Sequence, residues 1–176
     1  MTTTLSRSAL VLLVLATGCR GWQGNTYYAH RLPKKRADKE ATYSFGDPGA
    51  GWRPLRKVED VQVAWVHDQL NAAIELHVQC DGQGDSSLDE YTDHLRIDWT
   101  HWDIKAETDE TFLGRAALRT VVQARLDGVP MMLEILVAKK DGCLFDLHYT
   151  ARPESYEAGR GAFVAVTNGF VFPVKG

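Results

Sequence analysis

The amino-acid sequence predicts an α+β domain, one antiparallel sheet of six to seven strands packed with helices as an α/β/α sandwich. Three observations carry the prediction. Pairs of consecutive stretches alternate apolar and polar residues and, folded back on each other, bring their apolar sets to one side. Residues 129–138 are apolar on nearly both faces, the mark of a central strand covered above and below. A capping box at Ser87 and Glu90, and an apolar stripe led by Pro153, supply the helices that cover it.

The N-terminus comes first. One positive charge, Arg7, precedes the apolar run Ala9 to Ala16 and the small residues Thr17 and Gly18, the three-part layout of a secretory signal. The run is about half of the roughly 20 residues that span a bilayer, and Arg20 follows, so a permanent transmembrane helix is not expected. Ala16-Thr17-Gly18-Cys19 resembles the bacterial lipobox, with alanine where leucine is preferred. That resemblance implies cleavage before Cys19, lipidation of Cys19, and attachment to the membrane through that lipid. Arg20 in place of an acidic residue implies the outer membrane, facing the periplasm.

Residues 19–42 then read as the lipidated cysteine and a flexible basic tether, and residues 43–176 as one globular domain. From Tyr43 onward 13 Lys and Arg stand against 21 Asp and Glu, a formal charge of −8. An acidic domain excludes nucleic acid as the expected partner, because phosphate neutralisation needs clustered Lys and Arg.

A short strand near Tyr43 to Phe45 leads into the loop Asp47 to Gly51, which ends at Trp52, an aromatic suited to anchoring the loop or to binding. Val61, Val63 and Trp65 alternate on one face, and Ile74, Leu76 and Val78 on another run. An even-length turn pairs Trp65 with Ile74 and Val63 with Leu76, which predicts a hairpin. After the capping box, Leu88, Tyr91, Leu95 and Trp99 form a helical stripe, with His94, His101 and Trp102 at its end. Residues 105–113 read as an edge strand. The next strand, Arg115 to Leu126, turns at Asp127-Gly128, pairing Leu126 with Val129, Ala124 with Met131 and Val122 with Leu133.

For the following turn, parity favours a three-residue loop, Lys140-Asp141-Gly142, with Gly142 left-handed in a bulge. Val137 would then face Phe145, Ile135 would face Leu147 and Leu133 would face Tyr149. Pro153 opens a last helix whose apolar face is Tyr156, Phe163, Val166 and Phe170, weakened in the middle by Gly159 and Gly161.

With this order of elements the chain resembles the Mog1/PsbP-like family of α/β/α sandwiches. The resemblance rests on Gly114-Arg115-Ala116, on Leu144 to Thr150 with Ala151-Arg152-Pro153, and on the closing Phe163 and Phe170. It implies the fold and, by analogy with the family's accessory subunits, a binding role.

Chemistry is sparse. Cys80 and Cys143 each stand beside an Asp-Gly turn and suit a disulfide in an oxidising compartment, with two buried thiols as the alternative. Asp146 and His148 share a strand face, an acid–base spacing that is equally an ordinary polar layer. On the proposed register Glu134 and Arg119 join them. His67 and His77 fall on opposite faces, and the six histidines show no ligand spacing, so neither a metal nor a cofactor is expected. The candidate binding residues are therefore Trp52, Trp102, His148 and Asp146.

These features favour a non-enzymatic envelope lipoprotein that binds an envelope protein or assists an assembly. The alternative is a small-ligand binder or hydrolase with a pocket between sheet and helix.

Overall fold

The computed structural model describes residues 21–23, 26–28, 43–55, 61–80 and 86–172. A small sheet holds β1 (Gly21–Gln23), β2 (Thr26–Tyr28) and β3 (Tyr43–Ser44), in that order. Two paired strands therefore occur within the stretch expected as a tether. Cys19 lies outside the described residues.

The main sheet has seven strands: β4 (Arg53–Leu55), β5 (Val63–His67), β6 (Ala72–Gln79), β7 (Trp99–Phe112), β8 (Arg115–Leu126), β9 (Val129–Lys140) and β10 (Cys143–Ala151). Their order across the sheet is β4-β5-β6-β10-β9-β8-β7, all pairs antiparallel. Helix α1 (Leu88–His94) covers one face, and α2 (Tyr156–Asn168), entered through a 3-10 turn at Pro153–Ser155, covers the other. The α/β/α sandwich is the class that the sequence predicts. Among the described residues no helix is long and apolar enough to cross a membrane.

Local signals set most of the registers. Trp65 faces Ile74 and Val63 faces Leu76, as alternation requires. Gln62 extends that hairpin with its side-chain amide, which accepts from Val78 N at 2.7 Å and donates to Val78 O at 3.3 Å. At Asp127-Gly128 both residues are left-handed, and Leu126 faces Val129 as predicted. The capping box is present, with Ser87 Oγ accepting from Glu90 N and Glu90 accepting from Ser87 N.

Two expectations are corrected. Helix α1 stops at His94, and Trp99 opens β7 after a turn in which Asp98 has φ +71°. Leu88, Tyr91, Leu95 and Trp99 still share one apolar cluster, because the strand carries Trp99 to the same face.

The β9–β10 turn has no three-residue bulge. Asp141 (φ +55°) and Gly142 (φ +78°) make a two-residue turn, Lys140 faces Cys143, and Val137 faces Asp146. The parity argument assumed one apolar face per strand. Helices cover both faces here, so both parities bury apolar side chains, and the left-handed turn residues decide the register.

The core on the α2 side is aromatic. Tyr149 lies 5.9 Å from Phe163 and 5.3 Å from Tyr156 between ring centroids, while Phe145, Phe170 and Phe172 meet edge to face. Phe163 is fully buried, so truncation to alanine costs about 3–5 kcal/mol.

Candidate functional site

Side chains repeat every second residue along a strand, and directly paired residues share a face. Glu75 pairs with His148 and His77 pairs with Asp146 across β6 and β10, so all four point to the α1 side. Glu75, His77 and His148 bring a ligand atom each to within 4.8 Å of one another. Glu75 Oε2 lies 3.5 Å from His77 Nε2, and Asp146 Oδ1 lies 3.3 Å from His148 Nε2. The two imidazole centroids are 5.2 Å apart.

Asp146 is 2% exposed, whereas the side chains of His148, His77 and Glu75 are 16%, 29% and 34% exposed. The cluster thus has a dry floor and a wet mouth. Asp146 Oδ1 and His148 Nε2 are buried without a hydrogen-bond partner. The other oxygen, Asp146 Oδ2, accepts from Tyr91 Oη at 2.8 Å.

Electrostatics follows from this packing. Burial lowers the His148 pKa, the neighbouring His77 adds to the shift, and Asp146 and Glu75 only partly offset it, so the ring is neutral at neutral pH. The hydrogen bond from His77 holds Glu75 below its usual range against a burial penalty. A neutral imidazole and an ionised carboxylate are the states that ligate metals.

The expectation that the histidines do not assemble is overturned for His77 and His148, although His67 does lie on the opposite face. The sequence separated them because β6 and β10 are adjacent in the sheet but some 70 residues apart in the chain. The pairing of Asp146 with His148 was legible as an i, i+2 spacing, whereas nothing in local sequence pointed to Glu75.

Glu134 and Arg119 do not share this face. The corrected register turns them to the α2 side, where Glu134 is fully buried. Glu134 accepts from Arg119 Nη1 and Arg160 Nε at 2.7 Å and from Tyr156 Oη at 2.9 Å, and Arg119 also binds Glu110 through two 3.0 Å bonds. Burial alone would raise the Glu134 pKa, but the bonds from Arg160, Tyr156 and Arg119 hold it below the ordinary value. This network fastens α2 to the sheet.

Trp52 and Trp102 are half-buried on opposite faces, Trp52 against the α2-side core and Trp102 against the α1-side cluster, so they form no common patch. The rings of Trp52 and His67 meet edge to face at 5.4 Å, which anchors the loop. His94 and His101 are exposed and outside the cluster. Cys80 and Cys143 are joined by a disulfide, Cα to Cα 3.9 Å, at the end of the β6–β10 pair that carries the cluster.

An open cleft of about 380 Å³ lies on the same sheet face, lined by Arg53, Leu55, Val66, Ala73, Met131 and Thr150 among others. Its lining comes from strands and a turn rather than from a helix, unlike the pocket that the alternative reading called for. Ala73 stands two residues before Glu75 and its pairing partner Thr150 two residues after His148, so the cleft floor runs up to the cluster.

An apolar row crosses the α1-side rim. Trp99 pairs with Leu126, and Leu126 with Val129, across β7, β8 and β9. Leu126 and Val129 are 39% and 38% exposed, and Ile97, two residues before Trp99, is 71% exposed.

No protein-family model matches the chain, and no curated protein is significantly similar to it. Solved structures share its fold at a distance. The cyanobacterial PsbP protein CyanoP of Synechocystis sp. PCC 6803 superposes with a TM-score of 0.54 at 11% identity, covering 89% of this chain and 95% of CyanoP. LpqN of Mycobacterium tuberculosis, involved in cell envelope biogenesis, superposes at 0.57 and 11% identity, covering 75% of this chain and 83% of LpqN. Protein PA94 of Pseudomonas aeruginosa, of unknown function, reaches 0.49 at 15% identity, with 79% and 90% covered. The chain thus shares the α/β/α-sandwich fold of CyanoP and LpqN.

Proposed function

We propose that this chain is an envelope-anchored, non-enzymatic lipoprotein whose domain binds a protein partner as an assembly accessory. The observation that carries the reading is the apolar row of half-buried Trp99 with exposed Leu126 and Val129, held across three paired strands. Apolar side chains in a rigid row offer contact area with little ordering cost, which is what a protein-binding surface requires. The lipobox-like segment ending at Cys19 supplies the anchor, with the outer membrane facing the periplasm as the location. The shared fold of LpqN, a protein of cell envelope biogenesis, and of CyanoP supports the same class by analogy.

The test is affinity capture of the lipidated protein from solubilised envelopes under mild crosslinking, beside Cys19→Ala and beside a Leu126→Asp, Val129→Asp double variant. One envelope protein recurring in stoichiometric amount, and lost with the double variant, is the expected result. Recovery of only lipid and abundant porins, or a partner indifferent to the double variant, overturns the reading. Cys19→Ala should leave the membrane fraction.

A further inference from the structure

We propose that Glu75, His77 and His148, with Asp146 as a fourth arm, bind one divalent ion of the zinc type. The inference is independent of the protein-binding reading, since it rests on side chains of β6 and β10, whereas the apolar row lies on β7, β8 and β9.

Donor geometry is the first argument. Zinc bonds to imidazole nitrogen and carboxylate oxygen are about 2.0–2.2 Å, so neighbouring donors of a tetrahedron stand roughly 3.3–3.5 Å apart. The Glu75–His77 separation of 3.5 Å is one edge of such a figure, and Asp146 Oδ1 stands 3.3 Å from His148 Nε2. The widest separation within the triad, no more than 4.8 Å, closes by small rotamer shifts.

Unmet bonding is the second. Asp146 Oδ1 and His148 Nε2 are buried 3.3 Å apart and without hydrogen bonds, a state that costs stability unless something satisfies both. A cation between them does so. Its +2 charge also neutralises the two carboxylates, Glu75 and Asp146, in a half-dry site.

The surroundings are those of a built site. Tyr91 Oη donates to Asp146 Oδ2 and orients the carboxylate as outer-shell groups orient ligands. All four residues sit on two hydrogen-bonded strands rather than on loops, and the Cys80–Cys143 disulfide closes the same strand pair three residues beyond His77 and Asp146. The half-exposed Glu75 and His77 leave an entry path. Two imidazoles among four donors select a borderline ion such as zinc over calcium or magnesium, which take six or more oxygens.

The experiment uses the full chain stripped with chelator. Zn²⁺ affinity is measured by competition with a chromophoric chelator, and Co²⁺ binding by its visible absorption. One ion per chain at a Kd of about 1 μM or tighter, with the intense absorption of tetrahedral Co²⁺, is expected. His77→Ala and Glu75→Gln, at half-exposed positions that leave the core intact, should each weaken binding at least about tenfold, and a His94→Ala, His101→Ala double variant should not. Circular dichroism confirms that each variant is folded. Binding below one equivalent, or binding that survives His77→Ala and Glu75→Gln in folded protein, overturns the proposal.

Discussion

Tyr91 in α1 donates its hydroxyl to Asp146 Oδ2 in β10 across 2.8 Å, joining residues 55 positions apart. The bond explains how a carboxylate is tolerated beside the buried apolar side chains of Val137, Ile135 and Leu144 on the same face. Burial raises the Tyr91 pKa well above its ordinary value, and the charge and hydrogen bond of Asp146 raise it further, so the phenol keeps its proton and remains a donor. Tyr91→Phe leaves a buried carboxylate with neither oxygen paired. The expected loss is about 1–3 kcal/mol in urea unfolding; an unchanged midpoint would show that water replaces the phenol.

Glu134 makes acid stability specific. Its folded pKa lies below its unfolded value near 4.5, so the network contributes fully above that pH. The contribution fades as pH falls through the folded value. Melting temperature should drop below pH 4.5, and Glu134→Gln should be less stable at neutral pH but flatter across the acid range. Glu134→Ala strands Arg119 and Arg160 around a fully buried gap and should cost about 3–5 kcal/mol.

Two glycines of α2 should respond with opposite signs. A Cβ on Gly159 would lie 2.4 Å from Tyr149 Oη, which donates to Tyr156 O within the core. Gly159→Ala should therefore destabilise by about 1–3 kcal/mol despite its better helix propensity. Gly161 has open space around its Cβ position, and Gly161→Ala should stabilise by about 0.5–1 kcal/mol. Thermal melts of the two variants decide the point.

The Cys80–Cys143 link closes a separation of 63 residues, for which the chain-entropy model gives about 4 kcal/mol. Guanidinium unfolding should shift to lower denaturant with reductant, and Cys80→Ser, Cys143→Ser should match the reduced protein. Coincidence of oxidised and reduced curves would contradict the bond.

Much of the architecture could be read from neighbouring residues. Val63, Trp65, Ile74 and Leu76 alternate, Asp127-Gly128 is a turn, and Ser87 with Glu90 caps a helix, each within a few positions. Such features depend on local backbone preference and periodicity, which travel with the sequence. The end of α1 was misread because Trp99 continues the helical spacing while belonging to β7; burial on the α1 side suits it from either element.

The candidate site was legible only in the spacing of Asp146 and His148. Its other half, Glu75 and His77, arrives by the pairing of β6 with β10, a contact that no local pattern specifies. The same holds for Glu134, whose face followed from a two-residue turn that parity disfavoured and whose burial depends on Arg160 from α2. The sequence by itself determined the strands, turns, caps and sandwich class, because those are short-range consequences of side-chain type. Tertiary structure decided which polar residues share a face and which are buried, because strand order and helix coverage join segments that the chain keeps far apart.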